Sequence, residues 1–307
     1  MTWLIMSAIV FLFALIGLGI DYFYLGFFNG NIDIPVATII ISIGSIVFAL
    51  ISLNDGASMV LRSAQAVPAV TTNPDHRQLL NVVQEISVAS GMPVPRVYII
   101  PDDDPNAFAT GKDPQNSSIA VTQGLLTTLD REELQGVIAH EMSHIRYYDI
   151  RLMTVVAALV GTIVLVSDIA VRGMRFGSLS GRGVRSRGKN PLGGLLLILW
   201  LVTIIFAPII TRIMAMMISR KREYLADASA AELTRNPIAL AKALQKLEKA
   251  SAPTVTIKRG IAHLCVVDPL EKRVNEKDGF WAELFSTHPP MQKRIMLLKA
   301  MSYQQVS

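Results

Sequence analysis

Two runs of apolar residues near the start of the chain, Trp3 to Ile20 and Ile34 to Leu53, contain no charged side chain. A helix needs about 20 such residues to cross the hydrocarbon of a bilayer, so each run is long enough to span a membrane. Two more apolar stretches follow, Leu152 to Val171, interrupted by Asp168, and Pro191 to Ile210, closed by Arg212. With 51% of residues hydrophobic and only 17% charged, the chain departs from the composition of a water-soluble domain. The first run has no basic residue before it and no small-x-small cleavage pattern closely after it, so it reads as a retained anchor.

The formal charge of +5 is carried by basic residues that are scattered or sit beside apolar segments. Anionic lipid headgroups suit them better than nucleic acid. The single cysteine, Cys265, rules out an intramolecular disulfide and reads as a small buried hydrophobe.

The apolar and polar blocks alternate. An apolar hairpin occupies 1–53, a polar block 54–150, a second apolar hairpin 151–218 and a polar tail 219–307. The two polar segments must therefore meet on one membrane face. The first inter-run loop holds Asp21 and Asp33 and no basic residue, which places it outside and the polar blocks inside. The segment Arg172 to Asn190, with five arginines, a lysine and no acid, then conflicts with the positive-inside rule if the second hairpin crosses fully. Either that hairpin stays shallow or the first pair has already set the orientation.

Within the first polar block, Leu79, Leu80, Val83 and Ile86 recur at helical spacing, and Gly91 and Pro93 end that pattern. Arg96 to Ile100 is β-branched and bounded by prolines, the pattern of a strand. Asn106 to Thr110 and Ser118 to Thr122 flank a turn-rich segment, which predicts a β-hairpin. A helix is then expected after Thr128 as N-cap, running through Leu134, Val137 and Ile138 and on into the third apolar stretch.

That helix carries His140-Glu141-Met142-Ser143-His144. Histidines four apart project from one helical face and can share a tetrahedral metal. Glu141 is rotated off the ligand axis, where its carboxylate can take a proton from the water on the metal. A catalytic zinc needs a third protein ligand. The candidates are His76, His263, His288 and the carboxylates of Glu223-Tyr224-Leu225-Ala226-Asp227, and Glu223 is the choice. Asp227, one turn further on, is placed to accept the second ring N–H of a ligating histidine. The metal site is then His140, His144 and Glu223 with one Zn2+ per chain.

The H-E-M-S-H string, the hydrophobic hairpin and the Ser-Arg-Lys-Arg-Glu-Tyr-Leu-Ala-Asp segment together resemble the HtpX-type membrane zinc metalloproteases and their relative, the CAAX prenyl protease. Asn106-Ala107-Phe108-Ala109-Thr110-Gly111 resembles that family's edge-strand motif, and Thr287-His288-Pro289-Pro290 with Arg294 its C-terminal one. The resemblance implies a mainly α membrane protein, with transmembrane helices and a zincin-like catalytic domain holding a small β-sheet. It also implies cleavage of misfolded or membrane proteins in quality control, at a bacterial inner membrane, with the site facing the cytoplasm. Extended substrate would pair with Asn106, Ala107, Phe108, Ala109 and Thr110. His288 or Arg294 would offer the developing oxyanion a donor. The His140 helix is expected to end at the bilayer surface. A partner-recruiting scaffold is the rival reading, but a structural zinc has no need of Glu141. A small transporter using Asp168 and Arg212 is weaker still, because both lie near segment ends where snorkelling explains them.

Overall fold

The computed structural model describes residues 2–21, 34–157, 220–250, 264–266 and 289–304. Most of the third apolar stretch, the whole fourth, the Arg172 to Asn190 segment, Asp33, Asp168, Arg212, His263 and His288 lie outside the described residues. The chain divides into two units, Met1–Ser52 with Leu159–Met214, and Leu53–Ala158 with Ala215–Ser307.

In the first unit, α1 spans Thr2–Ile20, and α2, Val36–Ser63, begins there and runs on into the second. Uncharged side chains at nearly every turn and the absence of proline inside them let both stretches close their own backbone hydrogen bonds, which a lipid environment requires. Among the described residues α2 is the one helix long and apolar enough to cross a membrane. Ile39, Ile40, Ile43, Ile46, Val47 and Leu50 all stand exposed on it, a surface suited to acyl chains and unsuited to water. Asp21 is fully buried and accepts from Ala37 N at 2.8 Å, Thr38 N at 2.7 Å and Thr38 Oγ1 at 2.6 Å. It therefore caps the orphan donors of the first turn of α2. Gly17 permits this seat, since a Cβ there would stand 2.7 Å from Thr38 Cα.

The second unit is built around one sheet of four strands, β1 Val67–Pro68, β2 Arg96–Ile100, β3 Ala107–Gly111 and β4 Ser117–Thr122, in the order β1-β2-β4-β3. The strand and the hairpin expected from the sequence are both present, with Phe108 opposite Ala120 in the antiparallel β3–β4 pair. β2 and β4 are parallel, and β3 forms one edge. Helix α3, Pro74–Ser90, connects β1 to β2. Its N-cap Asn73 accepts from Asp75 N, and Gly91 closes it at φ 67°, a left-handed conformation that glycine adopts without a Cβ penalty.

The short helix α4, Gln123–Thr128, precedes α5, Arg131–Arg146. Thr128 ends α4, and the N-cap of α5 is Asp130, which exchanges reciprocal hydrogen bonds with Glu133 in a capping box. This corrects the expected cap by two residues. Nor does α5 run unbroken into the apolar stretch. Tyr147 caps it, Tyr148 takes φ 60°, and helix resumes only at Asp149. Helices α6, Arg220–Thr234, α7, Pro237–Lys249, and α8, Met291–Gln304, complete the described unit.

The core lies between the sheet and the helices. Leu79, Val83 and Ile86 of α3, Ile119 and Val121 of β4, Val137, Ile138 and Met142 of α5, and Leu240 and Leu244 of α7 are all buried in one cluster. Gly136 lets α5 meet α7 closely, because a Cβ there would approach the Leu240 backbone to 3.0 Å. On the opposite face of the sheet Phe108, Ile100 and Ala120 pack with Val60, Leu61, Met153, Leu264 and Cys265. The alternation along β3 thus sends Phe108 to one layer and Ala107 and Ala109 to the other.

Candidate active site

Residues 136–145 of α5 are all buried, including the polar members His140, Glu141 and His144. Such burial is tolerated only where polar atoms meet partners. The 3.6-residue period aims the two imidazoles the same way, with Nε2 atoms 3.3 Å apart and the rings edge to face at 88°. Glu223, in the first turn of α6, completes a triangle: Oε2 lies 3.7 Å from His140 Nε2, and Oε1 lies 3.5 Å from His144 Nε2. Donors about 2.0–2.1 Å from a tetrahedral zinc stand about 3.4 Å from one another. The closest approaches between these side chains bracket that value, the last two through different Glu223 oxygens, and one donor atom from each residue lies within 4.8 Å of the others, so the set can hold one metal ion. Among the described residues this is the group of His, Cys, Asp and Glu side chains able to hold a metal.

Carboxylates stand behind both histidines. Asp227, one turn beyond Glu223, places Oδ1 3.0 Å from His140 Nδ1, in contact though without the alignment of a good hydrogen bond. Arg294 of α8, fully buried, grips Asp227 with both ends of its fork, Nε to Oδ2 at 2.8 Å and Nη2 to Oδ1 at 2.7 Å. Its third nitrogen, Nη1, faces Glu223 Oε2 and the Val266 carbonyl, each at 3.5 Å. The sequence offered His288 or Arg294 as an oxyanion donor. In the structure all three nitrogens of Arg294 face protein oxygens. His144 Nδ1 lies 3.3 Å from Asp149 Oδ2, and Asp149 also pairs with Arg222. Sequence reasoning missed both of these residues. The signal present was an acid five residues past His144 and a base immediately before Glu223.

The charges follow from these contacts. Burial disfavours the His140 imidazolium, yet Asp227 and Glu223 outweigh it and hold the group up to about 9. His144 is pushed down, chiefly by burial, with the His140 and Arg294 charges adding to the effect. Burial opposes the Asp227 carboxylate, but the Arg294 guanidinium prevails and brings it down to about 2. Glu141 moves the other way, raised by burial against the attraction of the two histidines. A cation among the three donors would draw it back toward the ionised form.

The strand residues singled out in the sequence stand close by, and all are buried. Several of their edge-facing backbone groups are engaged. Ala107 N–H meets Asn106 Oδ1 at 3.0 Å and Ala107 O accepts from Val266 N at 3.0 Å. The Ala109 N–H faces Glu141, and Gly111 N–H donates to Thr154 Oγ1 at 3.0 Å. Thr110 Oγ1 is 2.8 Å from the same hydroxyl. Of the remaining third-ligand candidates, His76 sits at the start of α3 with Nδ1 facing Val70 N at 3.4 Å, away from the triangle.

Two histidines of α5 and a glutamate of α6 thus form a group that could hold a metal ion, with the buried Glu141 beside them. The chain matches the model of peptidase family M48 over residues 73–302 and belongs to that family. It is 43% identical over 295 residues to "Protease HtpX homolog" of Caldanaerobacter subterraneus subsp. tengcongensis, covering 95% of this chain and 93% of that one. A protein of the same name from Streptococcus gordonii is 38% identical over 305 residues, covering 98% and 96%. That from Dictyoglomus turgidum is 46% identical over 230 residues, covering 75% and 71%. Among solved structures, S. mikatae Ste24p is similar with a TM-score of 0.49 and 18% identity, covering 95% of this chain and 62% of that chain. The protein is thus a membrane metallopeptidase, mainly helical with a small mixed sheet.

Proposed function

We propose that the protein is a zinc-dependent endopeptidase in which His140, His144 and Glu223 hold one ion and Glu141 handles the proton. The observation that carries this reading is the convergence of one donor atom each from His140, His144 and Glu223 within 4.8 Å of one another, with buried Glu141 next to His140 on the same helix. When bound there, zinc supplies Lewis acidity for a scissile carbonyl and acidifies a water. Glu141 accepts the proton of that water on its carboxylate and passes it to the leaving amine. Its burial supports this task, because a poorly solvated carboxylate is a stronger base. Arg294 serves as the clamp on Asp227, and Asp227 orients His140. His288, two residues before Pro290, keeps the oxyanion role that the sequence offered to it or to Arg294.

The substrates we assign are misfolded or membrane proteins met in extended form, at the inner membrane of a bacterium and on its cytoplasmic side. Pairing by backbone groups of β3 favours unfolded segments over any one sequence. A substrate strand seated at Ala107 needs the carbonyl that Val266 N now holds, so Val266 must yield before it binds.

The test of the ligand set is zinc content after dialysis of detergent-purified protein. Wild type is expected to retain about one zinc, and His140→Ala, His144→Ala and Glu223→Ala each to lose it, as a three-ligand site requires. Full zinc retention in Glu223→Ala would reject the assignment.

A further inference from the structure

The carboxylate behind His144 belongs to no motif read from the sequence. In a continuous helix a residue five positions on is rotated roughly 140° from the first, so Asp149 would face away from His144. The left-handed Tyr148, φ 60°, breaks α5 and brings Asp149 back, with Oδ2 3.3 Å from His144 Nδ1. Asp149 is buried, and a carboxylate there needs compensation. Arg222 supplies it from α6, and the next residue along that helix is Glu223.

We propose that Asp149 and Arg222 are positioning residues of the metal centre, a second clamp matching Asp227 and Arg294. Asp149 accepts the Nδ1–H of His144, which fixes the tautomer and leaves the Nε2 lone pair facing Glu223 and His140. Arg222 holds Asp149 and at the same time ties the first turn of α6 to the end of α5, setting where Glu223 stands. Each histidine is thus backed by one acid, and each acid by one arginine from a different helix. The inference rests on the zinc-site reading above.

The experiment measures zinc affinity of the full-length protein in detergent by competition with a chromophoric chelator, and records the visible spectrum after Co2+ substitution. Loss of an outer-shell partner lowers metal affinity by roughly 10- to 100-fold. That loss is expected for Asp149→Ala, with an altered Co2+ spectrum. Asp149→Asn, which keeps an oxygen for Nδ1–H, should recover most of the affinity. Arg222→Gln should weaken binding by a smaller factor in wild type and by none in the Asp149→Ala background. If Asp149 merely starts the helix that resumes there, thermal stability falls while zinc affinity and the Co2+ spectrum stay at wild-type values, and the proposal is overturned. Should Asp149→Ala fail to fold, the near-isosteric Asp149→Leu, which offers His144 no acceptor, and Arg222→Gln carry the test, and wild-type affinity in both rejects it. Failure of the underlying reading looks different, because then wild type itself binds no stoichiometric zinc.

Discussion

Arg294 is the largest fully buried side chain among the described residues, and its removal gives a large, separable effect. In Arg294→Ala the Asp227 carboxylate stays buried among His140, Glu223 and apolar neighbours without its bidentate partner. Breaking a buried ion pair in this way costs about 3–5 kcal/mol. The depression of Asp227 to about 2 sets an independent scale, since against an ordinary value of about 3.9 it corresponds to roughly 2–3 kcal/mol. The two figures agree in magnitude. The sign follows from the lowered value: this stabilisation is present above about pH 4 and is lost as pH falls toward 2. Because a two-unit membrane protein need not unfold in one step, the assay is hydrogen exchange of peptides covering Arg220–Thr234 and Met291–Gln304. Arg294→Ala should accelerate exchange there by about two to four decades at pH 7. The double variant Asp227→Leu/Arg294→Met removes both charges, and should regain most of the protection without regaining zinc affinity. Exchange in Arg294→Ala within about threefold of wild type would refute the clamp.

Three further outcomes follow. In the metal-free protein His140 is raised to about 9 against an ordinary value of about 6.5. Its contribution is therefore complete below about pH 6.5 and disappears as pH climbs through about 9. A thermal midpoint of the metal-free form that does not fall over that interval would contradict the His140–Asp227 contact. Cys265, the single cysteine, is buried beside Val266, so its maleimide labelling in Glu141→Gln protein should accelerate when unfolded casein is added. Unchanged or slower labelling would mean that substrate does not displace the 264–266 segment. Tyr148→Gly should be neutral or stabilising by up to about 1 kcal/mol and Tyr148→Val destabilising by about 1–2 kcal/mol, because only the former accepts positive φ without strain. Equal unfolding midpoints for the two would reject the strained break.

How much of this was legible in the sequence depends on the range over which each signal acts. His140, Glu141 and His144 share one helical face, and Glu223 and Asp227 share another, so each set is visible in a single period. The β3–β4 hairpin was equally visible, since both its strands and its turn are contiguous. The start of α5 was misplaced because Thr128 and Asp130 are both acceptable caps, and only Asp130 has a glutamate three residues on to close the box. The break at Tyr148 carried no glycine or proline to announce it. The pairs Asp149–Arg222 and Asp227–Arg294 join residues 73 and 67 positions apart, a separation that no local pattern encodes.

The most direct test of the account is casein hydrolysis by detergent-purified wild type and Glu141→Gln, with metal content determined for each. The expected result is cleavage by wild type only, with about one zinc in both proteins, as follows from removing a base and leaving the ligands intact. Equal cleavage by the two zinc-loaded proteins would contradict the central claim that Glu141 carries the proton.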